Sequence, residues 1–181
     1  MARIIFITGG SRSGKSAHGQ ALAESIAGPR VYIATCPVVD EEMAARIQKH
    51  RAQRQASHWQ TIEQTIDLAG ALRGTQESSV RLIDCLTLWI NNLLYQAEGL
   101  AHEVTEDDIA RLCADVLSVC AELPGDVIFI ANEVGMGIVP DNPLSRRYRD
   151  LAGRCNQIMA ADADRVILMV CGLPLEIKNS Q

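Results

Sequence analysis

The residues Gly9-Gly10-Ser11-Arg12-Ser13-Gly14-Lys15-Ser16 fit the spacing GxxxxGKS and follow directly on the apolar run Arg3 to Thr8. The chemistry of that pattern is mostly backbone chemistry. Glycines let successive N–H groups converge on phosphate oxygens, and a helix beginning at the loop adds its positive end. Lys15 then reaches the terminal phosphates, and the Ser16 hydroxyl suits Mg²⁺. A second constellation lies in residues 40–54, where Arg46, His50 and Arg54 recur every four positions. That spacing puts them on one helix face. Neighbouring cations disfavour a further positive charge, so His50 tends to stay neutral while guanidiniums beside it hold a phosphate. A neutral imidazole facing a clamped phosphate is a candidate nucleophile. A plain solvated basic face satisfies the same pattern, and both readings stay open on spacing alone. His18 and His58 suit packing or hydrogen bonding, and no pair has the close spacing of a zinc site.

Such residues need a frame. Five runs rich in β-branched residues recur at Ile4 to Thr8, Val31 to Thr35, Val80 to Asp84, Val127 to Ala131 and Val166 to Val170. Each is almost continuously apolar, as strands covered on both faces are. Helical patterns alternate with them: Ala17 to Ala27, a stripe from Leu86 to Ala97, residues 105–122 with a capping-box start at Thr105 and Asp108, and residues 144–163. This alternation predicts an α/β fold with a mainly parallel sheet flanked by helices. Ligands of such sheets sit beyond the carboxyl ends of the strands. Gly9 to Ser16, Cys36, Asp84 and Asn132-Glu133 occupy those places. Asp84 and Glu133 are both candidates to organise Mg²⁺, and each could equally serve a local structural role.

The 181 residues, 48% of them hydrophobic, predict one domain over 1–181, with Pro140 to Pro143 a loop inside it. A net charge of −5 with few aromatic residues argues against a nucleic-acid-wrapping protein. Six cysteines without a CxxC pair read as reduced core thiols. No apolar stretch reaches membrane-spanning length, which predicts a soluble cytoplasmic protein.

The motifs also carry a resemblance. TGGSRSGKS at 8–16, YIAT at 32–35, DEEMAARIQKHRAQR at 40–54, HWQTIE at 58–63, NEVGMGIVP at 132–140 and RRYRDLAGRCNQ at 146–157 are similar to the bifunctional adenosylcobinamide kinase / adenosylcobinamide-phosphate guanylyltransferase family of cobalamin synthesis. The likeness runs nearly end to end. It implies a homotrimeric P-loop NTPase (RecA-like) fold with two activities: phosphorylation of adenosylcobinamide by ATP or GTP, then transfer of GMP from GTP to adenosylcobinamide phosphate. By the same resemblance Thr8 to Ser16 hold nucleotide phosphates, Ile33, Ala34 and Thr35 border the nucleotide, and Arg51, Ala52, Gln53 and Arg54 follow a guanylylated His50. Glu63 and Asp84 match acidic nucleotide-contact positions, with Ser16 and Asp84 on the metal. Lys49 stands where the family often has a second histidine. A simple small-molecule kinase and a GTP-dependent regulatory module are the alternatives, and the absence of an NKxD-type guanine-reading motif disfavours the latter.

Overall fold

The computed structural model describes residues 1–37, 58–99 and 103–180. Their strands are β1 (Arg3–Gly9), β2 (Arg30–Ala34), β3 (Trp59–Glu63), β4 (Val80–Asp84), β5 (Asp126–Ile130), β6 (Arg165–Val170) and β7 (Leu173–Asn179). The helices are α1 (Lys15–Glu24), α2 (Leu68–Arg73), α3 (Leu86–Gly99), α4 (Glu106–Glu122) and α5 (Pro143–Asp162), with a 3₁₀ turn at Val134–Met136. The strands form one sheet in the order β3-β2-β4-β5-β1-β6-β7. All neighbours are parallel except β6 and β7. This is the mainly parallel α/β architecture expected from the sequence, and it is consistent with a P-loop NTPase-like fold.

The alternation of side chains along each strand splits the core in two. Ile4, Phe6, Ile33, Ile83, Val127 and Phe129 pack under α2, α3, α4 and α5. Ile5, Ile7, Val80, Leu82, Ile128, Ile130 and Ile167 face the other way, toward α1. Each such fully buried side chain contributes about 1.5–3 kcal/mol. Both faces of β1 are therefore locked, and the loop that follows it starts from a rigid point.

Local chemistry explains the helix boundaries. Thr105 accepts from the Asp108 backbone N–H while the Asp108 carboxylate accepts from the Thr105 N–H, the expected capping box. Asn142 caps α5 through the N–H groups of Leu144 and Ser145, and Pro143 occupies the first turn, where it loses no hydrogen bond. α1 begins two residues earlier than its apolar pattern suggests, because Gly14 takes a left-handed conformation (φ 94°) and turns the chain straight into the helix. Gly19 lets α1 settle on the sheet: a Cβ there would lie 2.7 Å from Ile130 Cδ1.

Three elements lie beyond the sequence reading: β3, β7 and the short α2. β6 and β7 are joined by Cys171 and Gly172 alone, both at positive φ (53° and 83°). That is the conformation a tight two-residue hairpin favours. All six cysteines carry free thiols, and the Cys113 and Cys155 sulfurs meet at 3.6 Å between α4 and α5. Among the described residues no helix is long and apolar enough to cross a membrane.

Candidate functional site

The carboxyl ends of the parallel strands share one edge of the sheet, and the sequence-selected residues gather there. β1 delivers Thr8 and the Gly9–Ser16 loop. β2 delivers Ile33 and Ala34, with Thr35 just beyond. β3 ends in Glu63, β4 ends in Asp84, and Glu133 follows β5. Ala34 is level with both Glu63 and Asp84 across the ladder. Strands lie about 4.8 Å apart, so Asp84 is roughly 10 Å and Glu63 roughly 19 Å from β1 along the sheet. Asp84 is thus a neighbour of the loop, whereas Glu63 stands at the far end of the same edge.

The loop is built to present backbone. Gly9 has φ 148°, Arg12 φ 59° and Gly14 φ 94°, positive-φ conformations of the kind used by tight turns that expose backbone N–H groups. The Ser13 N–H returns to the Gly10 carbonyl at 3.3 Å, and the Ser13 carbonyl accepts from the Gly172 N–H at 3.0 Å. The tip of the β6–β7 hairpin therefore braces the loop from outside. Ser11, Arg12 and Ser16 are exposed on its surface.

Lys15 is only 6% exposed. Its ammonium donates to the Gly10 carbonyl at 2.6 Å and approaches Ser13 Oγ at 3.4 Å. Burial pushes its pKa down, while the negative field of Asp84, then of Cys85 and Glu133, works in the opposite direction. The loop thus encloses a buried cation, and a cation so placed is chemically suited to pair with an anion.

The two carboxylates are held differently. Asp84 Oδ2 accepts from the Tyr32 hydroxyl at 3.0 Å. Tyr32 in turn lies edge-on to Trp59 at 6.1 Å on the α1 side of the sheet. Glu133 is tied more tightly. Its N–H donates to the Gly9 carbonyl at 3.1 Å, and its Oε1 accepts from Thr8 Oγ1 at 2.5 Å and from Asn156 Nδ2 at 3.1 Å. Asn156 also donates to the Asn132 carbonyl at 3.1 Å, and the Asn132 N–H donates to Thr87 Oγ1 at 2.7 Å. Thr35 bridges β2 to the turn after β4, donating to the Cys85 carbonyl at 2.8 Å and accepting from the Cys85 N–H at 2.7 Å. It is fully buried, and these bonds tie the Asp84 turn to the end of β2.

His50 and the segment Arg51, Ala52, Gln53 and Arg54 lie outside the described residues. His58, the first described residue after that stretch, has φ 56°, and His18 sits within α1. Sequence reasoning passed over Asn156, Tyr32 and Thr87. Each is an ordinary helix or strand residue by pattern, and only the tertiary packing turns it toward the site.

A metal would find Ser16 and Asp84 here. Asp84 keeps one carboxylate oxygen without a hydrogen-bond partner among the described residues, and among them no cluster of three or more His, Cys, Asp or Glu exists. That sparse oxygen set fits Mg²⁺, which keeps waters and substrate phosphates as its other ligands, and does not fit a caged transition metal.

Comparison with known proteins agrees with this geometry. The sequence pattern described as cobinamide kinase / cobinamide phosphate guanyltransferase matches residues 5–177. The chain is similar to the bifunctional adenosylcobalamin biosynthesis protein CobU of Escherichia coli, with 39% identity covering 97% of this chain and 99% of the relative. It is 41% identical to the Salmonella typhimurium protein of the same name, over 97% and 99% of the two chains. It is 43% identical to the bifunctional adenosylcobalamin biosynthesis protein CobP of Pseudomonas aeruginosa, over 96% of each. With the match running from β1 into β7 and relatives at about 40% identity over nearly the whole chain, the chain belongs to the cobinamide kinase / cobinamide phosphate guanyltransferase family.

Proposed function

We propose that this protein is a bifunctional transferase of cobalamin biosynthesis, acting over its whole length as one catalytic domain. It phosphorylates adenosylcobinamide with ATP or GTP and then joins GMP from GTP to the new phosphate, giving adenosylcobinamide-GDP and pyrophosphate. The observation that carries this reading is Lys15, buried in the Gly9–Ser16 loop with its ammonium on the Gly10 carbonyl. Family membership supplies the substrate.

In the first transfer an alcohol oxygen attacks the γ-phosphorus and the nucleoside diphosphate leaves. Such transfers need alignment and charge neutralisation more than covalent help. The loop amides and Lys15 fix the triphosphate and offset its charge. Ser16 and Asp84 would hold Mg²⁺, which would offset phosphate charge and act as a Lewis acid there. In the second transfer the His50 imidazole attacks the α-phosphorus of GTP, pyrophosphate departs, and the phosphate of the corrinoid then displaces His50 to take the GMP. The loop that bound the triphosphate is suited to hold the departing pyrophosphate, so one cradle serves both steps. We place the enzyme in the cytoplasm as a homotrimer, in line with the family resemblance.

The decisive experiment uses GTP labelled at the α-phosphate. The wild-type chain should retain acid-labile, base-stable label, and His50→Ala should retain none. A labelled His50→Ala protein would reject the histidine intermediate, and unchanged kinase turnover in Lys15→Ala would reject the cradle.

A further inference from the structure

Glu133 has a setting that the two transfers above leave without a task. It lies on the opposite face of the sheet from the metal-binding pair. Ser16 opens α1, and Asp84 shares its strand face with Val80 and Leu82, which pack toward α1. Thr8 instead follows the alternation of Ile4 and Phe6, which face the other layer, and Asn156 belongs to α5 in that layer. Glu133 is bonded to both. One carboxylate therefore flanks the loop from the α1 side and the other from the α5 side.

The way Glu133 is held also matters. Both side-chain donors, Thr8 and Asn156, go to Oε1, and the backbone N–H is anchored on Gly9. Oε2 has no partner among the described residues. Two bonds to one oxygen restrain the carboxylate and leave the other oxygen without a partner among the described residues. Glu133 itself is only partly buried, and the chain after it, Gly135 to Val139, is exposed.

We propose that Glu133 is the general base of the kinase step and that Asn156 is its positioning residue. This rests on the proposed kinase activity. As the acceptor alcohol oxygen forms its bond to the γ-phosphorus, its proton passes to Glu133 Oε2. The bond from the γ-phosphorus to the β,γ-bridging oxygen breaks, and its electron pair leaves with the nucleoside diphosphate. Glu133 then returns the proton to water. The guanylylation of His50 has no alcohol proton to remove, since the imidazole attacks through a lone pair. Glu133 is therefore required for one half-reaction and dispensable for the other.

The test compares the two half-reactions in Glu133→Gln, Asn156→Leu and the double variant. Glutamine keeps an oxygen to accept from Thr8 and Asn156 but cannot take the proton. Kinase kcat should fall about 10²-fold or more in Glu133→Gln and about tenfold in Asn156→Leu, with KM for GTP nearly unchanged. Label from α-phosphate-labelled GTP should stay within about threefold of wild type in both, which also reports intact folding. The double variant should be no slower than Glu133→Gln, because a positioning residue adds nothing once the base is gone. Full kinase turnover in Glu133→Gln would overturn the proposal. So would a parallel loss of both half-reactions with a raised Mg²⁺ requirement, which would make Glu133 a metal ligand. Multiplying losses in the double variant would remove Asn156 from its role. A wild-type chain that takes no label, alongside a kinase-dead Glu133→Gln, would reject the histidine intermediate and leave the base assignment standing.

Discussion

Gly9 and Gly10 stand side by side in the loop after β1, yet alanine should be rejected at the first and accepted at the second. At Gly9 the backbone has φ 148°, and an added Cβ would lie 2.5 Å from the Met169 carbonyl oxygen and 2.9 Å from Ser13 Oγ. The carbonyl belongs to β6, level with Gly9 in the parallel ladder, and cannot retreat without disturbing that pairing. A side chain forced into this conformation costs about 1–3 kcal/mol. Overpacking against fixed atoms costs about 1–3 kcal/mol more. Together these remove about 2–6 kcal/mol from a net stability that is typically about 5–15 kcal/mol. At Gly10 an added Cβ meets nothing within 4 Å and the φ is ordinary, so Gly10→Ala should change stability by less than about 0.5 kcal/mol. Urea unfolding followed by tryptophan fluorescence is the natural assay, because Trp59 and Trp89 are both buried. With an m-value of about 2 kcal/mol/M, the Gly9→Ala midpoint should drop by about 1–3 M. Coincident midpoints for Gly9→Ala and wild type, or an equal drop in Gly10→Ala, would refute the reasoning.

Other expectations follow from buried or bonded groups. Arg81 is wholly inaccessible in β4, its Nε donating to Thr75 Oγ1 at 2.9 Å and its two terminal nitrogens to the Pro124 and Thr75 carbonyls. Arg81→Ala strands those carbonyls and should cost about 3–5 kcal/mol by denaturant titration; a loss below about 1 kcal/mol would contradict this. Asp108 is held down at about 2, against an ordinary 3.8, first by the Thr105 backbone N–H, then by the Thr105 hydroxyl and Arg111. A folded value below the unfolded one means that its stabilisation is present above about pH 4 and is lost as pH falls toward about pH 2. The Tm difference between wild type and Asp108→Ala should therefore close over that interval, and a difference that persists at the acid end would refute it. Burial pushes the Cys85 thiol up to about 11 and the Cys120 thiol up to about 12, whereas Cys171 is exposed at the hairpin tip. Iodoacetamide at neutral pH should alkylate Cys171 and spare Cys85 and Cys120 until the chain unfolds; peptide mapping that finds native Cys85 modified would overturn this.

The parts of the fold legible in the sequence are those where one physical signal dominates. The five doubly covered strands announce themselves as apolar runs, and all five are present, within a residue or two of the expected ends. The Thr105–Asp108 box marks the start of α4 to the residue. What escaped detection lacks such a signal. β3, Trp59-Gln60-Thr61-Ile62-Glu63, is an edge strand with two polar residues and an acidic end. β7 carries Pro174 and leaves Leu173, Leu175 and Ile177 exposed, so it resembles neither a core strand nor a clean alternation. Arg81 shows the converse case, a charge in an apolar run whose burial is tolerated only because distant carbonyls meet it. At the site, the loop was legible because its function is carried by consecutive residues. The Thr8–Glu133–Asn156 bonds join three remote parts of the chain, and no local spacing encodes them.

The hydrogen bond from Gly172 to Ser13 bears on how the protein is made. The Gly9–Ser16 loop is synthesised before its supports: among the described residues β1 pairs with β5 and β6, and the turn that steadies the loop comes after both. A nascent chain therefore carries the motif long before it carries the site. A ligand of this loop would meet its braced form only after Gly172 has been made, and its binding energy would then favour the finished fold over a partial one.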